Sequence, residues 1–143
     1  NMGADPHAVD LVLAAGLPIE FVGWDISRHY AVVEPALADE LHGTSELGEF
    51  CVAINAVVAA FCATDTKLAG FDLPDPIAMA YAIDPTIATE TRRLHLAVET
   101  ESELTRGMVV MDLLGLTDNE PNALVVTAAD RDRFVEMLFD AVR

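Results

Sequence analysis

Apolar side chains recur at helical spacing near the C-terminus of this sequence. Their period of about 3.6 residues predicts an amphipathic helix over residues 129–142. Thr127 and Asp130 resemble a capping box at its start, with Asp in place of the usual Glu. The apolar side chains that define its buried face are Phe134, Val135, Leu138, Phe139 and Val142.

A nearly uninterrupted apolar run extends from Phe50 to Ala63, broken only by Asn55. The run is too short to span a bilayer, and it predicts a buried helix over residues 45–62 with Ser45 as its N-cap.

Aspartate followed by proline occurs three times, at Asp5-Pro6, Asp75-Pro76 and Asp84-Pro85. An Asp N-cap with Pro at the first helical position is a typical helix start. Gly16 and Gly43 supply helix ends. The further predicted helices cover residues 6–15, 35–42 and 76–83.

Three apolar runs predict strands, and residues 94–98 alternate weakly between apolar and polar side chains. Trp24 falls in the first of these strands, which favours packing in the core over binding an aromatic ligand. Helices mixed with buried strands indicate an α/β layer architecture in a single domain or fragment over residues 1–143. The predicted strands cover residues 19–24, 107–112 and 123–127.

The composition adds constraints on partners and compartment. The sequence has 143 residues, 52% of them apolar, and a formal net charge of −16. This apolar fraction is large enough to form a packed core. Because such an acidic surface repels phosphate backbones and anionic lipid, we expect neither nucleic acid nor membrane as a partner. No signal-peptide pattern opens the sequence, and we expect the cytoplasm.

Two cysteines, Cys51 and Cys62, fall in one predicted helix. Eleven residues of helix separate their Cα atoms by about 16 Å, whereas a disulfide requires about 7 Å or less. We therefore expect both to be reduced thiols.

Self-contained catalytic motifs are absent from the sequence. It has no G-x-G-x-x-G, P-loop, H-E-x-x-H or G-x-S-x-G pattern, and its four histidines share no metal-ligand spacing. The residues alone therefore indicate an acidic α/β domain and no particular chemistry.

The order of five segments resembles the C-terminal part of the inosine-uridine-preferring nucleoside hydrolases. The resemblance covers essentially the whole chain, and the fold that it implies is the C-terminal portion of a Rossmann-like nucleoside hydrolase fold with a mixed sheet and flanking helices. The segments are Asn1 with Asp5-Pro6, Val22–Ser27, Pro74–Tyr81, Glu103–Gly107 with Asp112, and Val125–Leu138.

The resemblance implies chemistry built on a bound calcium ion. In this family Ca²⁺ is held mainly by an N-terminal aspartate cluster and holds the ribose hydroxyls and the attacking water. Asp75 matches the aspartate that the C-terminal part contributes, and we expect it to be a calcium ligand and a helix cap together. Asn1 matches the asparagine that binds the ribose hydroxyls.

Two departures from the family pattern bear on activity. Position 74 is proline where many members have histidine, so no side chain there can protonate the leaving base. The N-terminal aspartate motif is not in the sequence. We therefore expect no complete catalytic set in this chain and predict that the isolated chain is inactive.

The sequence thus favours the C-terminal part of a ribonucleoside N-ribohydrolase that releases ribose and a free base. A homo-oligomer or a partner chain supplying the N-terminal half is expected. The alternatives are an inactive nucleoside hydrolase-like domain for binding or oligomerisation, and an unrelated acidic α/β binding domain.

Overall fold

A computed structural model describes residues 2–143. The α/β fold class is confirmed. The helices are α1 (Pro6–Ala14), α2 (Trp24–Tyr30), α3 (Pro35–His42), α4 (Glu46–Ile54), α5 (Ala56–Phe61), α6 (Pro74–Ile83) and α7 (Arg131–Val142), with a π-helical turn at Cys62–Thr66 and a 3-10 turn at Pro85–Ile87. The strands are β1 (Glu20–Val22), β2 (Val32–Val33), β3 (Phe71–Asp72), β4 (Ala88–Leu94), β5 (Leu96–Val98), β6 (Val109–Met111) and β7 (Ala123–Ala129).

The strands form three small sheets. One has the order β1-β7-β4, with β1 parallel to β7 and Phe21 opposite Val125. The other two are the antiparallel pairs β2–β3 and β5–β6. Parallel and antiparallel pairing therefore both occur, in agreement with the mixed sheet that the family resemblance implies.

The chain divides into two compact units. The first unit comprises residues 2–22 and 91–126. Its apolar core gathers strands β4 to β7, with α1 packed against β5. Its β5–β6 hairpin closes through the connection that contains Glu103 to Gly107. The core residues of this unit are Leu94, Leu96, Ala123 and Val125.

The second unit comprises residues 23–90 and 127–143. Helix α3 packs against α4, and α6 contacts both α2 and α7. The apolar face predicted for α7 contributes Val142 to the core and packs Leu138 and Phe139 against it. The core residues are Val33, Leu41, Cys62, Phe71 and Val142.

The predicted helix over residues 45–62 is interrupted. Helix α4 ends at Ile54, and a new segment begins at Ala56. The Asn55 side-chain amide donates to the Cys51 carbonyl at 2.8 Å, a local bond that competes with regular helix geometry. Within residues 2–143 no single helix is long and apolar enough to cross a membrane. The length and composition of a membrane-spanning helix are reached only by two helical segments taken together, Glu46–Ile54 and Ala56–Thr66, and the chain bends by 46° between them.

The predicted capping box before α7 is wrong. Asp130 is the N-cap, and its carboxylate accepts the Arg133 backbone N–H at 3.0 Å. Strand β7 continues to Ala129, so Thr127 is extended within the sheet and cannot cap a helix. Both cysteines are free, as predicted, and Cys62 is buried.

Candidate functional site

The three Asp-Pro dipeptides do not have the same structural role. Asp5 caps α1 by accepting the Ala8 backbone N–H at 3.0 Å. Asp84 caps the 3-10 turn by accepting the Thr86 backbone N–H at 3.1 Å. Hydrogen bonds from Thr86 and the nearby Arg133 guanidinium hold the pKa of Asp84 below its usual range. These two carboxylates are therefore engaged by neighbouring residues.

Asp75 is different, and the prediction that it caps a helix is wrong. Helix α6 begins at Pro74, its N-cap is Leu73, and no side chain caps it. Asp75 therefore lies inside the first turn, where a carboxylate does not accept the N-cap hydrogen bonds. Its side chain is exposed, and within residues 2–143 no hydrogen bond or ion pair involves it.

The Asp75 carboxylate is available for a further contact. Its carboxylate has no partner among the described residues, so it can coordinate an ion without giving up another contact. Pro74, ahead of it, occupies the first helical position, where the missing backbone N–H costs no helix hydrogen bond.

The segment that leads to Asp75 is held by backbone contacts. Strand β3 pairs with β2, with Asp72 opposite Val32. The Leu73 N–H donates to the Ala31 carbonyl at 3.0 Å. At Gly70, a Cβ would lie 2.0 Å from the Val33 carbonyl oxygen, so only glycine permits this approach.

Asp72 is the buried carboxylate of this region, with 8% of its surface exposed. One of its oxygens accepts the Trp24 indole N–H and the Ser27 hydroxyl, each at 2.8 Å. Both donors lie on α2. A buried carboxylate requires such partners to offset its lost hydration.

The prediction that Trp24 packs in the core of a strand is wrong. Trp24 is the first residue of α2 and is 62% exposed, while Ile26 and Ser27 occupy the buried positions. Its indole N–H turns to Asp72, and the Arg28 guanidinium lies 5.3 Å from the ring centroid. Asp72 was missed from the sequence, although an Asp between Phe71 and Leu73 was a signal for a partnered carboxylate.

A complete metal site is not formed by the described residues. Within residues 2–143 no three or more His, Cys, Asp or Glu side chains gather in a way that could hold a metal ion. Calcium takes about six to eight oxygen ligands, and Asp75 supplies one carboxylate. Asn1, the predicted ribose ligand, lies outside the described residues.

Comparison with known proteins places these features in context. A family model described as inosine-uridine preferring nucleoside hydrolase matches residues 1–136. The chain is 34% identical over 144 aligned residues to a pyrimidine-specific ribonucleoside hydrolase, RihA, of Klebsiella pneumoniae, covering 96% of this chain and 44% of that protein. RihA of Shewanella woodyi is 32% identical, with the same coverage of both chains.

Solved structures give the same picture. A purine-preferring ribonucleoside hydrolase from Gardnerella vaginalis superposes with a TM-score of 0.80 at 26% identity, covering 99% of this chain and 45% of that one. A plant nucleoside hydrolase shares the fold with a TM-score of 0.84 at 23% identity, covering 99% and 46%. The chain thus spans less than half the length of these relatives.

Proposed function

The chain belongs to the inosine-uridine preferring nucleoside hydrolase family, and we propose that residues 1–143 form the C-terminal part of a ribonucleoside N-ribohydrolase. The reaction is hydrolysis of the bond between ribose and base, giving ribose and a free base. The relatives include a pyrimidine-specific and a purine-preferring enzyme, so the proposal names ribonucleosides as the substrate class and no particular base.

The observation that supports the proposal most directly is the state of Asp75. Of three chemically identical Asp-Pro dipeptides, two have carboxylates bound to their own helix starts, and Asp75 does not. An exposed carboxylate with no structural partner in residues 2–143 is suited to binding a ligand. We propose that this ligand is Ca²⁺, completed by residues outside that range.

In such an enzyme the ion would orient the ribose hydroxyls and activate water. The contribution of this chain is a carboxylate oxygen from Asp75 and, in the same proposal, a ribose contact from Asn1. Pro74 has no ionisable group, so departure of the base receives no proton from position 74. We further propose the cytoplasm, which fits the two free thiols, and a homo-oligomer or a partner chain that completes the site.

An inactive domain for binding or oligomerisation is the second candidate. Helices α4 and α5 expose a row of large apolar side chains at helical spacing, and exposed apolar patches mark interaction surfaces. The row comprises Leu47, Phe50, Ile54, Val57 and Phe61. The two candidates differ in whether a completed protein hydrolyses nucleosides.

The first experiment assays the isolated chain. We expect no hydrolysis of a chromogenic ribonucleoside, because one carboxylate falls well short of a calcium coordination shell. The measurement uses purified chain with and without added calcium, and a preparation of Asp75→Ala reveals contaminating activity. Turnover that disappears in Asp75→Ala would contradict the proposal that the site is completed from outside.

The second experiment tests Asp75 in a hydrolase completed with an aspartate-bearing N-terminal part. We expect Asp75→Asn to weaken calcium affinity and turnover strongly, because a full negative charge beside a divalent ion is lost. The melting temperature in excess EDTA should not change, because the side chain makes no hydrogen bond within residues 2–143.

Asp5→Asn is the matched control at an Asp that caps a helix. Asn caps about as well as Asp, so this variant should keep both calcium affinity and turnover. If Asp75→Asn behaves like Asp5→Asn, Asp75 is not a metal ligand and the proposed function fails.

A further inference from the structure

We propose that Asp72 is a positioning residue for Asp75. It accepts hydrogen bonds from Trp24 and Ser27 and thereby fixes the start of α6 relative to α2. The inference rests on the proposed function of Asp75 and adds a positioning role for three residues on two other elements.

Asp72 is close to Asp75 in both sequence and connection. It is the last residue of β3, and only Leu73 separates it from the first turn of α6. Leu73 is itself tied to the Ala31 carbonyl. With so short a connection, a shift of the Asp72 backbone moves the start of α6 and the carboxylate on it.

The side-chain contacts add orientation that the backbone pairing does not supply. Strands β2 and β3 are only two residues long each, so their ladder is short. The two bonds to the Asp72 oxygen are charge-assisted and directional. These bonds join β3 to α2, and α2 also contacts α6. We call α2, β3 and the start of α6 the junction, because each of the three elements is connected to the other two.

A purely apolar packing role does not account for this arrangement. An aliphatic side chain at position 72 would bury without the desolvation cost of a carboxylate. Trp24 would not need Asp72 as a hydrogen-bond acceptor either, because its ring is mostly exposed to water. A buried carboxylate with two fixed donors specifies one geometry, which is the property that a ligand-bearing turn requires.

The sequence provides a direct probe of this junction. Trp24 is the only tryptophan, so its emission reports the indole hydrogen bond to Asp72 without labelling. Emission should shift in Asp72→Ala and not in Asp132→Ala, a variant of an exposed Asp in the first turn of α7. This readout needs neither calcium nor activity.

The decisive experiment uses the completed hydrolase and measures calcium affinity by calorimetry together with kcat and KM. We expect Asp72→Ala to weaken calcium affinity by about 10-fold, the lower end of the effect of removing a direct partner of a metal ligand, because Asp72 acts on Asp75 only through the backbone. Asp72→Asn keeps an oxygen acceptor and should lie closer to wild type. Trp24→Phe and Ser27→Ala each remove one donor and should give intermediate losses, while Asp132→Ala should match wild type.

The outcomes separate this inference from the proposed function. If Asp75→Asn leaves calcium affinity unchanged, the proposed function fails and the positioning role falls with it. If Asp75→Asn abolishes binding while Asp72→Ala only lowers the melting temperature, the positioning role alone is overturned. Should Asp72→Ala not fold, Trp24→Phe decides, because Trp24 is mostly exposed; wild-type affinity in that variant overturns the inference.

Discussion

The surroundings of each carboxylate determine what it does in this chain. Asp72 is buried and holds two donors, whereas Asp75 is exposed and has no partner within residues 2–143. Asp112 is a third case. Its carboxylate accepts the Thr117 hydroxyl at 2.7 Å and the backbone N–H groups of Thr117 and Leu116. It thus organises the loop after β6.

Asp112 makes stability depend on pH in the acid range. The Thr117 hydroxyl and the two backbone N–H groups lower the pKa of Asp112 from 3.8 to about 2. Because the folded-state pKa lies below the unfolded value, the stabilisation is complete above pH about 4 and is lost as the pH falls towards 2. We expect wild type to exceed Asp112→Ala in urea midpoint at pH 6, and the gap to shrink between pH 4 and 2.

Asp118→Ala is the control for Asp112, since it removes an exposed Asp from the same loop. The gap between wild type and Asp118→Ala should show no such closure. A gap for Asp112→Ala that stays constant from pH 6 to 2 would contradict the prediction.

At the scale of elements, the sequence predicts best where periodicity and caps coincide. Helices α1 and α3 lie where the caps and glycines place them, and α7 has its predicted apolar face. Strand β4 was missed because Ala88–Leu94 is mostly exposed and polar and has no alternation to detect. The two-residue strands β2 and β3 are too short for any pattern.

The apolar run from Phe50 to Ala63 shows a further reason for failure. It predicts a buried helix, yet Phe50 is 58% and Val57 is 81% exposed. The hydropathy of a segment shows that its side chains are apolar, but it does not show whether other parts of the same chain bury them. The site was similarly hard to predict: the resemblance pointed to Asp75, but the bond from Trp24 to Asp72 spans 48 positions and no local pattern encodes it.

Gly48 tests the packing of α3 against α4. Alanine is normally better than glycine in a helix, by about 1 kcal/mol. Here a Cβ would lie 2.1 Å from the Leu41 carbonyl oxygen, which is backbone and cannot turn away. We expect Gly48→Ala to destabilise the chain by about 1–3 kcal/mol, the usual cost of overpacking, as measured by urea unfolding.

Gly43 provides the comparison, because a Cβ there would lie 3.5 Å from its nearest neighbour, the Asp39 carbonyl oxygen, which is ordinary contact. Gly43→Ala should therefore cost much less than Gly48→Ala. Equal effects of the two substitutions would show that α3 and α4 do not approach as closely as described.

At the scale of the whole molecule, acidic charge is largely unbalanced. The sequence has 24 Asp and Glu against 8 Lys and Arg. Arg133 and Arg143 are the only cations of the ion pairs within residues 2–143. These pairs are exposed or, at Asp84, partly exposed, and such pairs contribute little to stability. Repulsion among the remaining carboxylates therefore opposes the compact state.

This balance predicts that salt stabilises the chain. Raising NaCl from low ionic strength to about 0.5 M shortens the screening length from about 30 Å to a few ångströms, which weakens repulsion between like charges throughout the molecule. Screening also weakens the attraction within the few ion pairs, but it removes more repulsion between carboxylates than attraction. The melting temperature should therefore rise. Potassium chloride should act like sodium chloride if screening is the cause, and the experiment is run with EDTA to exclude divalent ions. A melting temperature that falls with salt would mean that attractive pairs outweigh the repulsion that a net charge of −16 implies.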